Sequence, residues 1–362
     1  GVFDLSLRKG NPHKREYSLE AGVTGLNAQV EGPLGKGSDA SYVANYRYST
    51  MALLGKMGVQ VPGDLVPFYQ DGSYKLNIPS ENAGRFQFWG LNGINNMNEG
   101  QSRLVDQYDA HLFINGMGHQ YILNEKMSVH TVVAWNNMSN RFATTVHSAD
   151  SSYERNSQEF QRQDFRGAVN LHYAASRKLF VKTGLQYMRG QFEYEATQAG
   201  RAGTPDGQHL HSAGQSAYAQ FYTSARYRFN KHWTLTGGLH GMRFQLNKAY
   251  SLEPRIALKW QPCCKHQFVL AYGGHSKLEP LMQYFAGEGD GRLPNAGLGF
   301  SRARHVVLGY KVRFTKNLWF DTELYYQSLY DIPVEAGQKS HYSLLNSEYG
   351  VKNALLENDG IG

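Results

Sequence analysis

Cysteine is nearly missing from this chain of 362 residues: there are two, Cys263 and Cys264, side by side. Adjacent cysteines form at best a strained bridge and no disulfide framework, so they read as turn residues. Charge is also sparse, at 19% Asp, Glu, Lys and Arg, and the formal net charge of +7 is spread along the chain rather than gathered in a block. That scatter, with no recognisable nucleic-acid module, excludes a nucleic-acid partner. Long apolar runs are absent, the longest being four or five residues, whereas a membrane helix needs about 20. A membrane strand needs only about ten residues of alternating character, so this lack excludes helices and not strands. There is no secretory leader, and the chain opens on Gly1, so its true start is expected upstream.

In their place stand 24 Tyr, 39 Gly and an aromatic content of 13%. This skew suits strands whose two faces meet different solvents, with amphipathic rings at the boundary. The stretch RYRFNKHWTLT, residues 226 to 236, shows the pattern. Before it, Ala217, Ala219, Phe221, Thr223, Ala225, Tyr227 and Phe229 alternate with Tyr218, Gln220, Tyr222, Ser224, Arg226 and Arg228. After it, Trp233, Leu235 and Leu239 alternate with Thr234, Thr236 and His240. Two period-two runs across Asn230 and Lys231 predict a hairpin with a tight turn, and place Phe229 and Trp233 at a lipid headgroup boundary.

Similar short polar junctions occur at 124–126, 176–178, 264–266 and 315–317, mostly about fifty residues apart. Between them lie the long, polar, glycine-rich connections 139–158, 195–215 and 274–301. Short turns on one rim and long loops on the other predict an all-β antiparallel transmembrane β-barrel, with periplasmic turns and extracellular loops. About fifteen strands are expected: 15–23, 25–32, 40–49, 72–78, 84–92, 107–122, 126–137, 160–174, 178–193, 216–229, 232–246, 254–261, 266–273, 303–314 and 318–329. A charge facing lipid at the midplane costs about 2–4 kcal/mol, so charged residues on these strands must face a watery lumen. Arg162, Asp164 and Arg166, opposite Phe165 and Val169, and Asp321 and Glu323, opposite Phe320 and Leu324, are therefore lumenal candidates. They would either contact ligand or form cross-strand ion pairs, and the second is the commoner use of such residues. An odd strand count does not close a bacterial barrel, and the final NALLENDGIG reads as a loop, so the chain is expected to be part of a larger barrel.

GVFDLSLRKGN (1–11) and YSLEAGVTGLNAQVEGPLGKG (17–37) resemble segments of TonB-dependent outer-membrane receptors, in particular the Bacteroidetes type, the first being similar to the end of that family's plug domain and the second to its first barrel hairpin. YVANYRYSTMALL (42–54), LNKAYSLEPRIALKWQ (246–261), HQFVLAYGGHSKLEPLMQYF (266–285) and ELYYQSLYDIPVE (323–335) continue the likeness. The resemblance implies a barrel of about 22 strands closed by a plug. On it, residues 1–13 are the end of the plug and its junction, with a last strand over 2–9, and 14–362 are the front of the barrel. It further implies an importer of a siderophore, glycan or peptide in the bacterial outer membrane, energised by TonB through a plug outside this chain. Its other partners would be the nutrient, the surrounding lipids and, in some systems, surface lipoproteins. An outer-membrane scaffold or secretion-associated barrel that binds partner lipoproteins is the alternative.

Other constellations carry less. His209 and His211 share a strand face, yet the sequence sets no carboxylate or Cys beside them, and they read as a solvated pair with no metal. GEGDGRL (287–293) lacks the closing acidic ligand of a calcium loop. Loop aromatics Tyr153, Tyr284 and Phe285 are candidates for gripping a ligand. No nucleophile and base stand in a catalytic pattern, so no enzyme activity and no cofactor are expected.

Overall fold

The computed structural model describes residues 6–22, 25–35, 37–50, 57, 66–101, 103–148, 152–198, 208–285, 293–337, 342–346 and 355–362. Fifteen strands form one antiparallel sheet in sequence order. They are β1 Glu16–Ala21, β2 Leu26–Pro33, β3 Ser41–Tyr48, β4 Val66–Ser80, β5 Gly84–Gln101, β6 Leu104–Asn124, β7 Met127–His147 and β8 Ser152–Tyr173. The sheet continues with β9 Leu179–Gln198, β10 Gln208–Arg228, β11 Trp233–Phe244, β12 Tyr250–Trp260, β13 His266–Lys277, β14 Ser301–Arg313 and β15 Trp319–Tyr330. Each of the fifteen expected segments overlaps one of these strands. No helix among the described residues is long and apolar enough to cross a membrane.

The turns are placed by local side-chain chemistry. Asn230 Oδ1 accepts from the backbone N–H of His232 (2.8 Å) and of Trp233 (3.0 Å). Ser176 Oγ does the same for Lys178 (3.2 Å) and Leu179 (3.1 Å), and Thr315 Oγ1 for Asn317 (3.3 Å) and Leu318 (3.1 Å). Asn124 Oδ1 accepts from Lys126 N–H at 2.9 Å. A short polar side chain that captures the next free donors ends one strand and starts the return.

At the other end the sequence expectation needs correction. The described residues of the connections 139–158 and 195–215 are largely strand, since β7 runs to His147, β8 starts at Ser152, β9 runs to Gln198 and β10 starts at Gln208. Alternation marks a strand only where its two faces meet different solvents, and here both faces are polar while the backbone ladder continues. Arg141 pairs with Glu154 at 2.5 Å and Thr144 Oγ1 donates to Asp106 at 2.6 Å in this region. The 22 residues of β8 span roughly 70 Å at about 3.3 Å each, well over the ~30 Å of a hydrocarbon core.

The chain divides into two compact units. The first comprises 1–121, 131–167 and 190–214. One face of its β1–β4 ladder is apolar: Leu19 pairs with Ala28, and Ala28 with Tyr46. The other is polar, with Asn45 Nδ2 donating to Asn27 Oδ1 (2.6 Å) and Arg47 paired with Asp71 (2.8 Å). Residues 6–15 lie against this polar face. Arg8 makes a two-pronged bond to the buried Glu31 (2.5 and 2.7 Å), which holds the guanidinium pKa above its usual value. Asn11 N–H reaches the same carboxylate at 2.9 Å, and Lys75 Nζ donates to Leu7 O at 2.7 Å. At Gly10 a Cβ would lie 1.9 Å from Tyr42 O, so only glycine permits this approach. Of the strand expected over 2–9, residues 6–9 are not strand and 2–5 lie outside the described residues.

The second unit comprises 122–130, 168–189 and 215–362. Its register aligns one apolar row, Leu235, Leu258, Leu270, Leu308 and Leu324, across five strands. Four of the residues on this face, Ile256, Leu270, Leu308 and Leu324, are 49–73% exposed, so the face is greasy and uncovered. Towards the turns it ends in a chain of stacked rings: Trp233 on Trp260 (5.5 Å between centroids), Trp260 on Phe268 (5.2 Å) and Phe268 on Tyr310 (4.8 Å). At the other end Met242, Phe244, Tyr284, Leu298, Phe300 and Leu356 form a buried cluster around the short helix α1, Leu281–Phe285. The expected terminal loop is in part a strand: β17, Leu356–Gly360, pairs with β16, Ile332–Glu335. Gly362 then pairs with Leu329.

Candidate functional site: a lumenal cavity beside Glu253

On the polar face of the second unit, period two places Glu253 and Arg255 of β12 on one side and Leu252, Pro254 and Ile256 on the other. His240 of β11 stands directly opposite Glu253. The Glu253 side chain is 2% exposed and accepts from His240 Nδ1 (2.9 Å), Arg255 Nη2 (2.6 Å) and Ser251 Oγ (3.2 Å). A carboxylate so removed from water survives only with partners of this kind. Arg255 is half exposed, with its cross-strand neighbours Gly238 and Gly273 leaving room around it. A Cβ on Gly273 would lie 2.9 Å from His275 Nε2.

The result is a cavity of about 700 Å³ whose lining includes Gln220, Tyr222, His240, Arg255, His275 and His305. The rings of His275 and His305 lie 4.6 Å apart, and His305 Nε2 is buried without a partner. Tyr222 Oη donates to Asn170 Oδ1 at 2.7 Å. Such a surface offers amide, phenol, imidazole and guanidinium groups to a polar ligand. Among the described residues no group of three or more His, Cys, Asp or Glu is arranged to hold a metal ion.

The residues singled out in the sequence lie elsewhere. Asp164, with a 1% exposed side chain, is bracketed by Arg162 Nε (3.0 Å) and Arg166 Nη2 (3.4 Å) of its own strand and by Asn136 Nδ2 (3.2 Å) across β7. Both ion pairs run along β8 between residues two apart, not across strands as expected. Asp321 does pair across strands, with Lys311 at 2.9 Å, while Glu323 stands opposite Gly309. Tyr284 is fully buried, with burial pushing its phenol pKa up, so it is a core residue and no ligand grip. Tyr153 is exposed and Phe285 packs against the buried cluster. His209 and His211 face carboxylates after all, Glu195 at 3.1 Å and Glu193 at 3.2 Å. Cys263 and Cys264 are free and exposed in the turn before β13. Of GEGDGRL, residues 287–292 lie outside the described residues.

No protein-family model and no curated protein matches the sequence. Solved structures do. The ferric-catecholate import receptor Fiu of K12 E. coli superposes with a TM-score of 0.66 at 9% identity, over 98% of this chain and 61% of that one. The copper transporter OprC gives 0.62 at 11%, over 90% and 55%. The RagAB peptide importer gives 0.62 at 10%, over 93% and 47%. The chain carries the transmembrane β-barrel fold. It spans about half the length of these structures.

In a barrel wall the leucine row and the ring chain face lipid, and the Glu253 cavity faces the lumen. The sequence held a faint sign of that cavity: Ser251, Glu253 and Arg255 alternate with Leu252, Pro254 and Ile256. The histidines that complete it come from three other strands, which no local pattern links.

Proposed function

We propose that this chain forms wall strands of a TonB-dependent import receptor in the bacterial outer membrane, of the Bacteroidetes type, taking up a siderophore, glycan or peptide. The lumenal cavity beside Glu253 is the observation that carries the reading, since a wall serving only as a scaffold has no need of a concave inner surface that presents imidazole, phenol and guanidinium groups. The fold shared with import receptors for copper, ferric catecholates and peptides supports it. So does residue 6–15 lying on the polar face, where a segment arriving from a plug would enter. On this reading residues 1–13 are the plug junction, 14–362 are barrel, and TonB acts through a plug upstream. Arg162, Asp164, Arg166, Asp321 and Glu323 are lumenal and serve the wall. Uptake of labelled siderophores, oligosaccharides and peptides by a deletion strain tests the proposal. Loss of one uptake, restored by the intact gene, supports it. Unchanged uptake of all three, together with loss of a lipoprotein complex, establishes the scaffold instead.

A further inference from the structure

The lipid side of the second unit is not uniformly greasy. Towards the long-loop end of the leucine row lies a groove of about 490 Å³. Gly274 and Ser276 of β13 give it a shallow floor, Tyr250 and Leu252 one wall, and Arg302 and Tyr330 the other. Register fixes the face. Arg302 and Arg304 share the parity of Leu308 on β14, Tyr250 and Leu252 that of Leu258 on β12, and Arg243 that of Leu235 on β11. Three guanidiniums therefore point to the side that faces hydrocarbon a few residues further down.

Their partners leave them available. Arg302 is 39% exposed, with Nη1 3.5 Å from Asp331 and Nη2 3.5 Å from Tyr250 O, both long contacts. Arg304 lies over the Tyr330 ring at 4.9 Å. Arg243 stands opposite Tyr250 and is exposed. Lys248, in the turn between β11 and β12, lines the same groove. Asp331 is the carboxylate of this patch; Glu253 borders the groove by its backbone position but turns its side chain to the lumen. Cations left on a lipid-facing wall are stable where the hydrocarbon gives way to charged headgroups, and arginine forks match phosphate oxygens in pairs.

We propose that this groove seats the phosphate-bearing headgroup of a lipid in the leaflet on the long-loop side, with Arg302 in the groove and Arg304, stacked on Tyr330 at its edge, on the phosphate, and Leu252 and Tyr250 against the first methylenes. Charge complementarity and direct continuity with the apolar row select a lipid rather than a soluble anion. The inference rests on the membrane orientation of the proposed function and is independent of what is imported.

The test is native mass spectrometry of the full-length protein released from mixed micelles, with phosphatidylglycerol, phosphatidylcholine or inorganic phosphate as probe. Wild type is expected to retain phosphatidylglycerol over phosphatidylcholine. R302Q/R304Q should lower that retention about tenfold, R302K/R304K, which keeps the charge without the fork, should restore only part of it, and K126Q at the opposite rim should leave it unchanged. Heat-modifiable gel mobility establishes that each variant is folded. Equal retention by R302Q/R304Q overturns the proposal, as does saturable binding of inorganic phosphate without lipid preference. Retained lipid with no uptake defect in a deletion strain supports this site while removing the import reading, so the two fail separately.

Discussion

Replacing Glu253 by Ala removes a 2% exposed carboxylate and the acceptor of three hydrogen bonds, from His240, Arg255 and Ser251. Hydrogen bonds to a charged group contribute about 1.5–3 kcal/mol each, but the three shares are unequal. Arg255, 46% exposed, turns to water when released, so its share is screened and small. His240, 19% exposed, and Ser251, buried in the wall, lose more. The sum is about 2–4 kcal/mol for E253A, and about 1–2 kcal/mol for E253Q, which keeps shape and one acceptor. Urea unfolding of the full-length protein in lipid vesicles, followed by tryptophan fluorescence, measures both as a fall in midpoint at constant slope. A double-mutant cycle with R255A should return a coupling of about 1 kcal/mol. Midpoints equal to wild type for E253A would refute the view that this buried carboxylate is held by its partners, and strictly additive effects with R255A would remove Arg255 from among them.

Asn230→Ala removes two acceptor contacts in the turn before β11 and should cost about 0.5–1.5 kcal/mol in the same urea assay, with N230D close to wild type. At Gly10 a side chain meets Tyr42 O, so G10V should release residues 6–15 from the polar face; limited proteolysis should then cut that segment while the strands stay protected. Trp260 stacks on both Trp233 and Phe268, and each such contact adds about 0.5–1.5 kcal/mol. W260A should therefore slow and reduce folding into vesicles, read as the folded band on an unheated gel, whereas L345A, away from the wall, should not.

Period two alone determined the strands, their two faces and the positions of the short turns, because each is set by neighbours in sequence: a side chain every other residue, an Asn, Ser or Thr where the ladder stops. It said nothing reliable above the apolar row, where both faces of β7 to β10 are polar and the pattern fades although the backbone ladder persists. Nor did it reveal the pairing of β16 with β17, whose residues 332–335 and 356–360 are far apart in sequence and join in register only in the fold. The cavity is the clearest case. Glu253, His240, His275 and His305 belong to four strands, and only the register that puts Glu253 opposite His240 and Arg255 beside Gly273 brings them together. A one-residue slip of β12 in that register would send Glu253 and Arg255 to the lipid side. Strand identity is thus local, while the chemistry of the wall is decided by long-range pairing.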